Sequence, residues 1–126
     1  MSIIKPFQGY LPPAKLAKQI SSPPYDVLSS DEARKIYSNN PNSFLRVIKP
    51  EIDFDTNKIS DDLNIHEHGK KNLEKLINKG QLKQDKYPSF YIYQITMGTH
   101  SQTGVMAGTS ISEYNQNLIK KHEFTR

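Results

Sequence analysis

The stretch SFYIYQITMGTHSQTGVMAGTSI, residues 89–111, decides the fold. Its two ends, 89–96 and 104–111, are rich in aromatic and β-branched residues and predict two strands. The seven residues between them, 97–103, have the composition of a hairpin loop and predict a connection longer than the tight two-residue type. Because apolar and aromatic residues follow one another along the first strand, the pattern predicts a hairpin that is apolar and covered on both faces.

The chain before this hairpin predicts mainly helices. After a lead-in rich in Pro and Gly, residues 14–20 predict a short turn of helix. Ser29 lies three residues before Glu32, which is the spacing of a capping box, so a second helix is predicted to start there. The sequence NNP at 39–41 is predicted to end it, because Asn tolerates left-handed geometry and Pro cannot continue a helix.

Two further elements follow. The apolar run SFLRVIK, residues 43–49, is bounded by prolines on both sides and predicts a strand. The longest helix is predicted from Asp61 to Lys79, with Ser60 as its N-cap and Gly80 as its C-terminal stop.

The last helix is predicted to begin at Ser112 and to continue to the end of the sequence, because Tyr114, Leu118 and His122 recur at every fourth residue. This order of elements predicts an α+β fold: a small mixed or antiparallel sheet with a C-terminal hairpin and three main helices. We expect residues 1–126 to form a single N-terminal domain that is a fragment of a longer protein.

Composition excludes several classes of function. The 126 residues include no cysteine, which excludes disulfides, thiolate zinc sites and cysteine nucleophiles. No stretch approaches the roughly 18 consecutive apolar residues that a membrane helix requires, and the N-terminal sequence lacks the order of a signal peptide. We therefore expect a cytoplasmic protein with no membrane partner.

The net charge of +4 arises in the second half of the chain, where lysines cluster. One interpretation of the cluster is a solvated helix face. The other is a basic surface that attracts nucleic acid, a phosphorylated ligand or an acidic partner. Because the cluster has no arginine and no interleaved aromatic residue, it predicts only weak, non-specific binding of nucleic acid. Its members are Lys70, Lys71, Lys75, Lys79, Lys83 and Lys86.

The C-terminal sequence IKKHEFTR carries the most chemistry. Arg126 would bind a phosphate through two parallel hydrogen bonds from its guanidinium group, and Lys120 or Lys121 would add a point charge. Glu123 is a candidate general base or metal ligand, and His122 lies on a neighbouring row of the same predicted helix. The alternative is an ordinary polar helix end with His122 at the edge of the core.

Tyr25 and Asp26 form the second candidate group, because the prolines before them stiffen the loop that presents them. The alternative is that Tyr25 packs and Asp26 caps a turn. We expect these two residues to converge with the C-terminal group. The predicted catalytic set is then Glu123, His122 and Asp26, and the predicted ligand or phosphate set is Arg126, Lys120, Lys121 and Tyr25.

Two other patterns bear on metal binding. Glu51 and Asp53 alternate on a segment predicted to be extended, so they point the same way and either share a cation or form a solvated turn. His66 and His68 are two residues apart on a predicted helix and project about 200° apart, so they cannot chelate one metal. We predict no metal site formed by this histidine pair.

Four blocks in order carry a family resemblance: PPYDVLSSDEA, NPNSFLRVIKPEID, YPSFYIYQITM and IKKHEFTR. Together they resemble the start of the family called domain of unknown function 1015, over about residues 3–126. Its members are several times longer, and their later segment resembles nucleotide-binding kinases related to the ParB and sulfiredoxin folds. Two positions depart from the family pattern. Arg46 stands where His is expected, which puts the role of that position in doubt, and Gly69 stands where Ala is expected, which indicates a packing change.

The resemblance implies an uncharacterised N-terminal domain of a nucleotide-binding or phosphotransfer enzyme, incomplete by itself and using a nucleotide with Mg²⁺ in the full-length protein. The alternative is a non-catalytic module whose basic face docks nucleic acid or an acidic partner. The expected partners are the remaining C-terminal part of the same chain and a second copy of the fragment.

Overall fold

The computed structural model describes residues 3–54 and 64–120. The chain divides into two compact units. Unit 1 comprises residues 1–9 and 84–126, and unit 2 comprises residues 10–83. Unit 2 is therefore a continuous segment inserted between the two parts of unit 1.

The elements are short and lie in an α+β order, which confirms the predicted fold class. None of the helices that the structure describes is long and apolar enough to cross a membrane. In chain order the elements are β1 (Ile4–Lys5), β2 (Tyr10–Leu11), α1 (Ala14–Ile20), α2 (Ser30–Tyr37), α3 (Leu45–Ile48), a 3₁₀ helix (Pro50–Asp53), α4 (Ile65–Asn78), β3 (Lys83–Gln84), β4 (Tyr91–Met97), β5 (His100–Met106), β6 (Gly108–Thr109) and α5 (Ile111–Asn115).

Helix α2 begins with the predicted capping box. The Ser29 hydroxyl accepts a hydrogen bond from the backbone N–H of Glu32, and the Glu32 carboxylate accepts one from the backbone N–H of Ser29 at 2.9 Å. These two bonds satisfy two of the donors that a helix start leaves free. The box also holds the pKa of Glu32 below its usual value, because the Ser29 side chain and backbone stabilise the carboxylate.

Helix α4 ends as predicted at Gly80. Gly80 has φ +67°, and its N–H donates to Ile77 O at 2.9 Å while the N–H of Gln81 donates to Leu76 O at 2.9 Å, as in a Schellman motif. Its start differs, since the helix begins at Ile65 after an Asn64 cap. The predicted N-cap, Ser60, lies outside the described residues.

The prediction of a strand at residues 43–49 was wrong, because Leu45–Ile48 form α3. A short apolar run does not distinguish a strand from a helix, and here the surroundings decide. Phe44 and Val47, three residues apart, pack on one core, while Leu45 fills another. A helix places these side chains in two directions that suit both cores.

The two cores lie within unit 2. One is built on Ile20, Leu76 and Leu82, and the other on Ala33, Leu45 and Ile52. By contrast, no described residue of unit 1 is buried.

Unit 1 is organised by the hairpin of β4 and β5, which pair antiparallel from Tyr91 opposite Met106 to Met97 opposite His100. The loop is therefore only Gly98 and Thr99, and the prediction of a longer loop was wrong. Gly98 has φ +61°, which suits the first loop position of a tight type II′ turn. This turn lets residues 100–103, predicted as loop, join the ladder.

Both faces of the hairpin are exposed, so the prediction that both are covered was wrong. The prediction that both are apolar holds only in part, because the face that includes Ile92 and Val105 also carries polar residues. One face carries a polar row in which Thr96 and Ser101 share a hydrogen bond of 3.0 Å and Gln94 donates to Thr103 at 3.3 Å. The opposite face is mainly apolar and exposed, with Gln102 and His100 of β5 as its polar members. Its members include Tyr93, Ile95, Met97 and Met106, which we call the apolar hairpin face.

The last helix also differs from the prediction. Ser110 caps α5, not Ser112, and the helix ends at Asn115. Asn117 adopts φ +57°, a left-handed conformation that cannot continue a helix. Leu118 is therefore not on a helical row with Tyr114, and His122 lies outside the described residues.

Candidate functional site

The predicted site residues are only partly within the described chain. Tyr25 and Asp26 lie on the loop between α1 and α2, and Tyr25 is 62% exposed, so it does not pack as the alternative proposed. Ser29 caps the following helix, as predicted. Lys49 Nζ donates to Tyr25 O at 3.3 Å and ties this loop to the chain after α3.

The C-terminal candidates are mostly outside the description. Lys120 is exposed, whereas Lys121, His122, Glu123 and Arg126 lie outside the described residues. Their convergence with Tyr25 and Asp26 stays a prediction.

A different polar cluster stands out in unit 2, centred on Asp53. Asp53 is the last residue of the 3₁₀ helix, and its side chain is only 15% exposed. Its Oδ1 accepts a hydrogen bond from Arg46 Nη1. Its Oδ2 lies 2.8 Å from His68 Nε2 and accepts a second bond from Asn72 Nδ2 at 2.9 Å. Three partners on α3 and α4 thus hold one carboxylate.

Arg46 is the cationic anchor of this cluster. Besides pairing with Asp53, it donates through Nη2 to Tyr37 O at 2.7 Å and through Nε to Asn40 O at 3.1 Å. These bonds use all three guanidinium nitrogens and close the C-terminal end of α2 against α3. Burial lowers the pKa of Arg46 from its usual value. A histidine side chain at this position is too short and has too few donors to bond all three acceptors, which explains why an arginine fits here.

His68 is oriented by the carboxylate and by a neighbouring ring. Because Asp53 holds the Nε2 side of the imidazole, the neutral tautomer with the proton on Nε2 leaves Nδ1 as an acceptor. The structure gives Nδ1 no hydrogen-bond partner among residues 3–54 and 64–120. The ring centroid of Phe54 lies 4.7 Å away at a tilt of 60°, which fixes the ring plane.

The charge state of His68 follows from its surroundings. Burial lowers its pKa below 6.5, and the positive charges of Lys71 and Lys75 lower it further. A lone carboxylate at 2.8 Å would raise the pKa, but the Asp53 charge is already balanced by Arg46. The lowered pKa favours the neutral imidazole, which donates its Nε2 proton to Asp53.

The helices of this site approach closely at Gly69. A Cβ atom on Gly69 would lie 2.8 Å from Val47 O and 3.2 Å from Pro50 Cγ. The missing side chain thus lets α4 lie directly against the chain that carries Arg46 and Asp53. The packing change inferred at this position from the sequence has this physical basis.

The structure corrects the interpretation of Glu51 and Asp53. They lie on a 3₁₀ helix, not an extended segment, so residues two apart project about 240° apart. Glu51 accepts from Ser30 Oγ at 3.1 Å, whereas Asp53 is held by Arg46. They do not share a cation. Among the described residues, no group of three or more His, Asp or Glu side chains is placed to hold a metal ion.

Sequence reasoning missed the Asp53 cluster because its members are far apart in the chain. One signal was available: His68 and Asn72 are four residues apart on the longest helix and are followed by Lys75, so they form a polar row beside the apolar one. The exposed ammonium groups of Lys71 and Lys75 extend this row from His68, and we call the three residues the His68 edge.

Comparison with known proteins identifies a family but no characterised relative. The family model described as Protein of unknown function (DUF1015) matches residues 4–126. Searches of curated proteins and of solved structures found no match. Because the family model covers nearly the whole chain, the resemblance drawn from the four sequence blocks is confirmed, and the chain belongs to the DUF1015 family.

Proposed function

We propose that this domain binds a phosphorylated small molecule, of the nucleotide class, at the His68 edge, as part of a nucleotide-binding or phosphotransfer enzyme. The observation that carries the proposal is the 2.8 Å contact between Asp53 Oδ2 and His68 Nε2, which fixes the imidazole and leaves Nδ1 for a ligand. A histidine oriented by a carboxylate is a common arrangement for proton transfer or for binding an oxyanion.

The electrostatics of the edge favour an anion. Lys71 and Lys75 lie three and seven residues after His68, so all three side chains share one face of α4. Neither lysine forms an ion pair with a described residue, and the one acid of the cluster, Asp53, is balanced by Arg46. A phosphate would meet the ammonium groups of Lys71 and Lys75 and an imidazole that gains a proton as the anion approaches.

The residues predicted from the sequence extend this proposal. Glu123, His122 and Asp26 would act as catalytic groups, and Arg126, Lys120, Lys121 and Tyr25 would bind phosphate. Mg²⁺ would accompany the nucleotide in a longer protein, whose remaining chain would complete the site. In that arrangement the domain is not active by itself.

The test is a nuclear magnetic resonance titration of the histidine Cε1 protons with MgADP or inorganic pyrophosphate. We expect the His68 signal, assigned with His68→Gln, to shift and its pKa to rise when the anion binds. Lys71→Ala with Lys75→Ala should weaken binding roughly tenfold, which corresponds to about 1.4 kcal/mol. No change in the His68 signal up to millimolar ligand would overturn the proposal.

A second candidate function is docking of nucleic acid or an acidic partner along the exposed row formed by Lys71, Lys75 and Lys79. Lys79 separates the two functions, because it lies on the same face but about 16 Å from His68 along the helix axis at 1.5 Å per residue. A small ligand at the His68 edge does not reach that far. If Lys79→Ala weakens binding of a single-stranded oligonucleotide as much as Lys71→Ala, and MgADP does not bind, the docking function is favoured.

A further inference from the structure

The hairpin of unit 1 lacks the devices that usually protect exposed strands. Natural edge strands carry lysines, prolines or bulges that prevent pairing with other chains. β4 and β5, with sequences YIYQITM and HSQTGVM, contain no Asp, Glu, Lys, Arg or Pro, and they pair without a bulge. Such a surface is typical of an interface.

The apolar side chains are concentrated on the apolar hairpin face. Met97 at the tip is 80% exposed, and Tyr93, Ile95 and Met106 are each about half exposed. On the opposite face the polar side chains bond to one another near the turn, and only Ile92 and Val105 of the two strands are apolar there. A two-stranded hairpin is marginally stable alone in water, so a cover on its apolar face would stabilise it.

We infer that the apolar hairpin face binds the same face of a second copy of this chain. Two observations favour this occupant. The strands place no Asp, Glu, Lys or Arg on this face, so it offers no carboxylate, ammonium or guanidinium group to a charged partner, and two chains that each carry +4 can meet there with least repulsion. It is also self-complementary, because a protruding side chain (the knob) and a depression (the notch) lie at equal distances from Ile95 at its centre.

The notch has a volume of about 200 Å³ and is lined by Tyr93, Ile95, Gln102, Thr103 and Gly104. It exists because Gly104, opposite Tyr93, contributes no side chain. The knob is Met97. In the proposed dimer a two-fold axis runs across the strands at Ile95. Met97 and Tyr93 each lie two residues from Ile95, so this axis places Met97 of each copy over Tyr93 of the other. Met97 and its cross-strand neighbour His100 then lie over Tyr93 and Gly104 of the other copy, where the notch receives them, as an isologous interface requires.

The size of the face sets the expected affinity. Seven-residue strands span about 23 Å and two strands about 10 Å, which gives a contact well below the roughly 1,200 Å² of standard stable interfaces. The dimer is therefore weak and forms at high concentration. This inference is independent of ligand binding at the His68 edge.

Sedimentation velocity of the whole chain, from micromolar to near-millimolar concentration, tests the inference. The weight-average mass should rise toward twice the monomer mass. Ile95→Lys should abolish the rise, because it places two ammonium groups at the symmetry axis. Gln94→Lys, next in sequence but on the polar face, is the matched control and should leave it intact.

Three outcomes would overturn the inference. These are a monomer at every concentration, a dimer that Ile95→Lys leaves intact, and equal loss of the dimer with Gln94→Lys, which would indicate pairing through a strand edge instead of the face. If circular dichroism shows that Ile95→Lys is unfolded, Met97→Lys at the exposed tip replaces it with the same expected loss.

Discussion

Unit 1 and unit 2 use their apolar residues in opposite ways. Every buried hydrophobic residue of the described chain lies in unit 2, whereas the apolar residues of β4 and β5 in unit 1 stay in contact with water. In unit 2, short helices turn their apolar sides into two cores and are joined by the Asp53 cluster. The difference teaches that apolar content alone does not mark a core: in unit 1 it marks a surface available for association.

The largest expected effect on stability comes from truncating a buried side chain in a core of unit 2. Leu45 is 0% exposed, so Leu45→Ala should lower the free energy of unfolding by about 4 kcal/mol through lost burial and a residual cavity. Chemical denaturation at low protein concentration measures this. Ile92→Ala in unit 1 is the matched control, since Ile92 is 74% exposed, and it should cost less than about 0.5 kcal/mol. Equal losses in the two variants would contradict the contrast between the units.

The next effect comes from the polar cluster of unit 2. Arg46→Ala should lower the free energy of unfolding by about 3 kcal/mol, because it leaves the Asp53 carboxylate without its cation and two backbone carbonyls without donors. Lys70→Ala removes an exposed ion pair, in which Lys70 Nζ lies 3.6 Å from Glu67, and should cost less than about 1 kcal/mol. A small loss for Arg46→Ala would mean that the helices, not the cluster, hold this region together.

The smallest effect is a pH dependence that arises in unit 2. The pKa of His68 is lowered in the folded protein, whereas an unfolded histidine titrates near pH 6.5. The unfolded state therefore binds the proton first, so stability is full above about pH 6.5 and falls as the pH drops through the lowered folded pKa. His68→Gln keeps a donor for Asp53 and should flatten this part of the profile, while His66→Gln should not. Thermal denaturation between pH 5 and 7.5 measures the difference, and identical profiles for wild type and His68→Gln would refute it.

The sequence was sufficient to predict the features that depend only on residues close together in the chain. The Ser29 capping box and the Gly80 helix end were predicted because each depends on residues within one turn. The hairpin was predicted, but its register was not, because the polar run 100–103 resembles a loop until the two-residue turn pairs it with β4. Segment 43–49 forms a helix because its side chains pack into two different cores. No local sequence pattern indicates that packing.

The candidate site was less predictable for the same reason. Asp53, His68 and Arg46 belong to three elements, and the close approach at Gly69 allows those elements to meet. From the sequence, Asp53 was grouped with Glu51, its near neighbour in the chain. Part-buried ion pairs between residues of different elements leave no periodic pattern, whereas the lysines of α4 do.

The insertion of unit 2 within unit 1 has a consequence for synthesis on the ribosome. Unit 2 is complete once residue 83 has emerged, and it can fold as a continuous segment. β1 must wait much longer, because Ile4 pairs with Thr109. At about 5–20 residues per second, the delay is on the order of ten seconds. During that interval the N-terminal strand is a nascent segment with exposed isoleucines, which is the kind of segment that ribosome-associated chaperones protect.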